Sequence, residues 1–467
     1  MKKIRNTKAS MLIPLAGICF LISCKKDFLD KKPSTDLVVP STLGDFRALL
    51  DNENVMGQTP GLGELSSDDY YLNYIYWKTK TSTKEHNAYV WAKDIYEGQN
   101  NVDDWDLPYQ QVFYANVVLE GLQRITADSG GDAQEWRALK GTAFFTRAYA
   151  FYNLAQVFAP VYDSAISPAD NKLGIPLRLS ADVNPVSVRA TVKQTYAQIF
   201  SDLQGAKDLL PVSIPLANRN RPSKPAVLAM LARVCLSMRA YDSARLYADN
   251  CLQLYNTLID YNKVGSVPFP FSKNNPEALY QSNLLSKTEV LLAFIVPDCI
   301  VDSVLYRSYA SADLRRTIYY SSTDRGAPPN LRWNYNSSLY LFSGLATDEV
   351  YLIRAECAAR VGNTASALGD LNTLLQNRWK TDSFAPVVAP TAAAALDSIL
   401  LERRKELAFR GIRWTDLRRL NKEGAAIGLA RKLDDGQNPQ LLPNGMRYVL
   451  PIPPDVLRIS GIPDNPR

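Results

Sequence analysis

The feature that most restricts this chain is a helix that has to be covered on two sides. From about Ala133 to Phe158, one apolar stripe runs through Trp136, Leu139, Ala143, Ala150, Leu154 and Val157 at helical spacing. A second runs through Phe144, Ala148, Phe151 and Ala155, and Pro160 closes the segment. A surface helix needs only one such stripe. Two stripes place this helix between neighbours, as in a stack of helical pairs. The same periodicity predicts a helix carrying Val112, Ala115, Leu119 and Leu122, and others over 192–210, 226–238, 242–258, 347–361, 365–377 and 393–410. Few segments read as strands, so the predicted class is mainly α.

Self-comparison adds a repeat. Ala232 and Ala244 stand twelve apart across the turn Arg239-Ala240-Tyr241, and Ala355 and Ala367 stand twelve apart across Gly362-Asn363. Small residues at these places let two antiparallel helices approach closely, while Leu228, Leu252, Tyr351 and Leu375 fill the flanks. This resembles the tetratricopeptide pattern, degenerate and not in one continuous array. The expected architecture is a tetratricopeptide-like helical scaffold with loop-rich insertions. Such a scaffold says nothing about chemistry.

The N-terminus points to export. Lys2, Lys3, Arg5 and Lys8 precede an apolar run from Met11 to Ile22 that contains Pro14 and Gly17. The run is shorter than the roughly 20 residues needed to span a bilayer and reads as a secretory signal. Leu21-Ile22-Ser23-Cys24 follows it and looks like a bacterial lipobox, which makes Cys24 the expected site of acylation. Several acyl chains make a stable anchor where one chain holds only marginally. Lys25 stands where an inner-membrane retention signal would place Asp, so the outer membrane is favoured. Removal of the leader takes four basic residues and no acid, so the formal charge of +6 falls to +2, and nothing in the composition suggests nucleic acid. With Cys19 lost and Cys24 acylated, Cys235, Cys251, Cys299 and Cys357 sit singly in apolar helical surroundings and read as buried free thiols.

Two segments interrupt the scaffold, Gly57 to Asp106 and about Val264 to Ser343, and long irregular insertions in a compact domain usually carry function. The first holds Asp68, Asp69, Tyr70, Tyr71, Tyr74, Tyr76, Trp77, Tyr89 and Trp91; the second holds Tyr306, Tyr309, Tyr319, Tyr320, Arg332, Trp333 and Tyr335. A sugar site needs ring faces for the C–H face of a pyranose and polar side chains for its hydroxyls. The expected ligand site therefore brings Tyr71, Tyr74 and Trp77 to Trp333 and Tyr335, with Asp69 and Arg332 supplying hydrogen bonds. The region of Tyr89 and Trp91 is the alternative.

Motifs along the chain then spell a family. The start Cys24-Lys25-Lys26-Asp27-Phe28-Leu29-Asp30, the pair Trp105 and Tyr109, and the stretch Phe145-Thr146-Arg147-Ala148-Tyr149 are followed by Arg354-Ala355-Glu356. Glu402-Arg403-Arg404-Lys405-Glu406-Leu407, Gly411-Ile412-Arg413-Trp414-Thr415-Asp416-Leu417 and Leu450-Pro451-Ile452-Pro453 come after. In this order, over essentially the whole chain, they resemble the SusD/RagB family of Bacteroidetes outer-membrane nutrient-binding lipoproteins. The resemblance implies a signal peptide over 1–23, an N-terminal region over 24–260 and a C-terminal region over 261–467. It also implies a SusC-like TonB-dependent transporter as partner, closed by the lipoprotein as a lid, with the repeat face offered to the transporter and the loop face to the ligand. The ligand could be a glycan, a glycopeptide or a peptide. Two departures, Phe409-Arg410-Gly411 where the family usually has Glu before the glycine, and the tail Ile462 to Arg467, put local packing in question. The charged run reads as structural, with Glu406 and Arg410 paired on one helix face and Arg413 and Asp416 tying that helix to the next segment.

Enzymatic readings find little support. His86 is the single histidine, so a histidine-based triad rests on one residue in a polar stretch. No H-E-x-x-H, no paired-cysteine zinc spacing and no glycine-rich phosphate loop occurs, so no cofactor or metal is expected. The acid pairs Asp68-Asp69 and Asp103-Asp104 could serve a surface glycosidase, which needs carboxyls about 5–9 Å apart across a sugar. A pure interaction scaffold is the third reading. Product formation separates enzyme from binder, and affinity for a soluble glycan separates binder from scaffold.

Overall fold

The computed structural model describes residues 40–467 apart from 127–129, 164–171, 266–269, 273, 286–297, 322–328, 333–334, 337 and 339. Cys24 and Trp333 lie outside the described residues.

The twice-covered helix spans Gly131–Phe158 and is mostly buried from Leu139 onward. It packs against both Asp103–Leu122 and Val192–Leu209. The approach is close: a Cβ added at Gly141 would lie 2.8 Å from Leu210 Cγ. The stack continues through Lys224–Ser237 and Tyr241–Leu254 to Thr347–Arg360, which contacts Thr364–Gln376 and Ala392–Glu406. The two units expected from the alanine spacing are thus the pair Lys224–Ser237 with Tyr241–Leu254 and the pair Thr347–Arg360 with Thr364–Gln376. Ala232, Ala244, Ala355 and Ala367 are fully inaccessible. Left-handed residues make both turns, Arg239 at φ 62° and Gly362 at φ 81°.

Two predicted helices run too long. The one expected to reach Leu258 stops at Leu254, because Tyr255 is extended. The one expected to reach Arg410 stops at Glu406, because Phe409 (φ 60°) and Gly411 (φ 70°) are left-handed and break the helical path. All strands among the described residues pair into two-stranded ladders. Cys235, Cys251, Cys299 and Cys357 are free and buried, as expected.

The charged run is structural but its partners differ from those expected. Glu406 does not pair with Arg410 on an exposed face. It is buried between Arg315 (2.8 Å) and Arg378 (2.7 Å), while Arg410 turns to Asp348 at 2.6 Å. Arg413 binds Asp68 (2.6 and 2.8 Å), and Asp416 binds Arg403 and Arg419. The helix break before Arg410 rotates these side chains off the shared face that an i, i+4 pair requires. Arg147 on Gly131–Phe158 joins Asp202 on Val192–Leu209 and Asn116, and Arg233 on Lys224–Ser237 joins Glu349 on Thr347–Arg360, so buried ion pairs pin two of the helix contacts in the stack.

Candidate functional site

Residues of the two insertions meet at two ladders, Gln58–Thr59 parallel to Asn283–Leu284 and a second that carries an exposed ring. Tyr70–Leu72 runs antiparallel to Cys299–Val301 in the register Tyr70↔Val301, Tyr71↔Ile300, Leu72↔Cys299. Alternation along the strand sends Tyr70 and Leu72 into the core and Tyr71 outward, 39% exposed. Asn73 then starts the Tyr74–Lys80 helix by accepting from the Ile75 and Tyr76 amides. That helix exposes Ile75 (62%) and turns Trp77 inward. On the other side of the ladder Asp302 caps Ser303–Ser308, accepting from Leu305 N at 2.8 Å and donating its own amide to Asp69 O. The Tyr74 hydroxyl donates to Asp435 at 3.2 Å and accepts from Lys78 at 3.2 Å. The result is an exposed face with Tyr71 and Ile75 outward and Tyr74 half-buried, edged by the carboxylates of Asp302 and Asp435 and by Lys78.

Charge beneath this surface is held rigidly. Asp68 takes both Arg413 hydrogen bonds, and Arg404 reaches Asp68 (3.3 Å), Asp69 (3.5 Å) and Asp302 (3.4 Å). Burial opposes ionisation of Asp68, yet Arg413 and Arg404 hold it down to about 2. Glu64 and Asp69 go the other way. Burial and then the charge of Asp69 push Glu64 up to about 8, and burial raises Asp69 to about 6 against the pull of Arg404.

The expected site residues therefore divide. Tyr71 is exposed on the ladder, and Tyr74 is half-buried, packed against the core with its hydroxyl reaching Asp435 and Lys78. Trp77 does not join them: it is 6% exposed, stacked on His86 at 3.9 Å and 16°, and its Nε1 donates to His86 O at 3.1 Å. Asp69 is 1% exposed and lies under the surface, in the arginine network. Tyr335 is 3% exposed, donates to Glu277, and packs under the Arg410 guanidinium 4.2 Å away. It shares no contact with the Tyr71 group among the described residues. Arg332 is exposed, and its amide donates to Tyr319 O at 2.6 Å. The alternative region is core as well, since Tyr89 and Trp91 enclose the Arg431 guanidinium at 4.1 and 4.9 Å. Apolar rings capable of stacking on a sugar are equally suited to packing, and here most of them pack.

Asp302 and Asp435 escaped the sequence reading. Each has a local signal: Asp302 precedes Ser303 at a helix start, and Asp435-Gly436 is a turn pair. Neither signal marks a ligand surface. The acid pairs considered for glycoside hydrolysis are committed elsewhere. Asp104 accepts from the Gly61 and Leu62 amides and from Lys84, and Asp68 is clamped by Arg413.

Comparison with known proteins gives the same family at both ends of the chain. The family model described as starch-binding, associating with outer membrane, matches residues 27–236, and that of the SusD family matches residues 347–459. A SusD-like protein P2 from Formosa agariphila is 24% identical over 430 residues, covering 78% of this chain and 79% of the relative. A SusD superfamily protein from Bacteroides thetaiotaomicron superposes with a TM-score of 0.73 at 20% identity, over 91% of this chain and all of that one. A SusD-like carbohydrate binding protein from Bacteroides vulgatus superposes with a TM-score of 0.65 at 19% identity, over 90% and 97% of the two chains. The chain belongs to the SusD family.

Proposed function

We propose that this protein binds a glycan at the outer membrane without transforming it and passes it to a SusC-like TonB-dependent transporter. The observation that carries the reading is the Tyr70–Leu72 ladder with Cys299–Val301, which puts an exposed ring beside carboxylates at the junction of the two insertions. Tyr71 and Tyr74 supply ring faces, and Asp302 and Asp435 accept from sugar hydroxyls. Arg404, from below, keeps Asp302 in place. Cys24 is the lipid attachment point, and no described helix is long and apolar enough to cross a membrane. The helical-repeat face offers the transporter a rigid surface while the ladder face stays open to ligand. The glycan class is supported by a matching family model described as starch-binding and by the fold shared with a SusD-like carbohydrate binding protein.

The test is a glycan array followed by calorimetry on the best ligand, with wild type and a Tyr71→Ala/Tyr74→Ala double variant. The variant should lose binding by thirtyfold or more, on the order of 2 kcal/mol. Equal binding by both proteins moves the site elsewhere, and released product from any bound glycan replaces the binder with an enzyme. Mild detergent extraction should also recover the chain with a TonB-dependent barrel; a chain that always purifies alone overturns the partnership.

A further inference from the structure

Away from the ladder surface, a cavity of about 360 Å³ opens between the Arg413–Lys422 helix, the Leu173–Pro176 strand and the C-terminal tail at Asp464–Pro466. Its lining is unbalanced in charge. Lys172, Arg189, Arg418 and Lys422 contribute four cations, and Asp464 is the one carboxylate. Asp464 is engaged already, its Oδ1 accepting from the Ile452 and Asn465 amides at 2.7 Å each.

Arg418 is the telling residue. It is 3% exposed, and its two terminal nitrogens donate to the main-chain oxygens of Gln156 and Ala159. Its Nε has no partner, and no carboxylate pairs with it among the described residues. Among the buried arginines of the described residues, Arg147, Arg233, Arg315, Arg378, Arg403, Arg410 and Arg419 each have a carboxylate, and Arg219 and Arg431, like Arg418, bond only main-chain oxygens; of these three, Arg418 is the one that lines the cavity. A buried cation without a counter-ion is costly. Burial accordingly pulls Arg418 down to about 10. Arg189 spends its donors on the main-chain oxygens of Leu173, Gly174 and Pro463 and on Asn465, and forms no ion pair among the described residues, although the charge of Asp464 acts on it. Lys172 and Lys422 are exposed at the cavity and form no ion pair among the described residues.

Apolar surface completes the cavity, from Val161, Leu173, Met446 and Val449. The volume is within the range of small-molecule sites. We propose that this cavity binds an organic anion, one carboxylate or sulfate group on a body with apolar faces. The two lysines contact the anionic group, and Arg418 contributes its charge from the floor without a hydrogen bond. Acidic sugars and simple aliphatic or aromatic acids share this chemistry. The site shares no residue with the Tyr71 surface, and the inference stands whether or not glycan binds there.

The experiment uses ligand-observed NMR and calorimetry on the full mature chain, with four probes: glucuronate, glucose 6-sulfate, octanoate and neutral glucose. At least one anion should bind saturably, more weakly as salt rises, and glucose should not compete for this site. Binding of the sugar anions alone identifies an acidic glycan as the source, and binding of octanoate identifies an aliphatic acid. Lys172→Gln/Lys422→Gln, two exposed positions that leave the fold intact, should weaken the bound anion by roughly tenfold or more. Tyr71→Ala should leave it unchanged, which separates this site from the glycan surface. Absence of saturable anion binding, equal binding of glucose, or an unaffected lysine double variant each overturns the proposal.

Discussion

Replacing Trp77 by alanine separates a packing ring from a binding ring. The indole is 6% exposed, lies flat on His86 at 3.9 Å, and sits 5.8 and 6.4 Å from Tyr74 and Tyr89. Truncation leaves a cavity that the Tyr74–Lys80 helix cannot collapse without pulling on the ladder beside it, at a cost of about 3–5 kcal/mol. Loss of the Nε1 donor to His86 O adds about 1 kcal/mol. In urea the unfolding midpoint should fall by on the order of 1 M for a chain of this size. Tyr71→Ala, one strand residue before the turn, is the control. Its ring is already 39% exposed, so stability should change by no more than about 0.5 kcal/mol. Its glycan affinity should nevertheless drop, because a ring that stacks on ligand acts only in the complex. The assay is paired urea unfolding and calorimetric titration on both variants. If Trp77→Ala keeps its midpoint and loses glycan affinity, the ring faces ligand in the working protein and the argument from burial fails.

Three further outcomes are expected. The Glu64 carboxyl, ordinarily near 4.5, is raised to about 8 by burial and by Asp69, so the stability its proton confers is complete below about 4.5 and lost as pH climbs through about 8. Glu64→Gln should flatten that decline in urea midpoints taken from pH 5 to 9, and an unchanged slope assigns the titration to another group. Arg315→Met strips the shared partner from Asp313, Glu402 and Glu406 and should cost about 3–5 kcal/mol by thermal or urea unfolding; a stable variant would mean that Lys405 and Arg378 suffice. Cys24→Ala should release the chain into the soluble fraction still folded, and wild-type membrane retention in cells lacking the transporter would refute acylation there.

The helical scaffold was legible because its determinants are local. Two stripes on Gly131–Phe158 required two neighbours, and alanines at fixed spacing required close helix pairs; both are met by residues whose burial depends on their own helix period. Boundaries were less legible where the backbone leaves the helix without Gly or Pro. Phe409 takes φ 60° although nothing in its side chain favours it, and the overrun to Arg410 follows directly. The same break explains why the expected Glu406–Arg410 pair does not form. Arg315 and Arg378, the partners that replace Arg410, lie 91 and 28 residues away.

The candidate site was legible only as a junction. That the two insertions meet is a consequence of topology, and Tyr70–Leu72 against Cys299–Val301 realises it. Which rings face outward depends on a single register, since a strand shifted by one residue would expose Tyr70 and Leu72 and bury Tyr71. The register is fixed by groups that carry no ligand signal: the Tyr70 hydroxyl bonded to Leu65 O, the Leu72 amide to the Tyr89 hydroxyl, and Arg431 bonded to Ser67, Tyr70 and Tyr89 oxygens from 361 residues away in the Tyr70 case. Arg431 looks, in sequence, like an ordinary surface charge. In the fold it is the cation that three aromatic rings enclose, and those rings are thereby committed to the core. Three rings of the first insertion thus enclose one buried guanidinium, Trp77 stacks on His86, Tyr74 packs half-buried against the core, and Tyr71 is the exposed ring that the ladder leaves to meet a ligand.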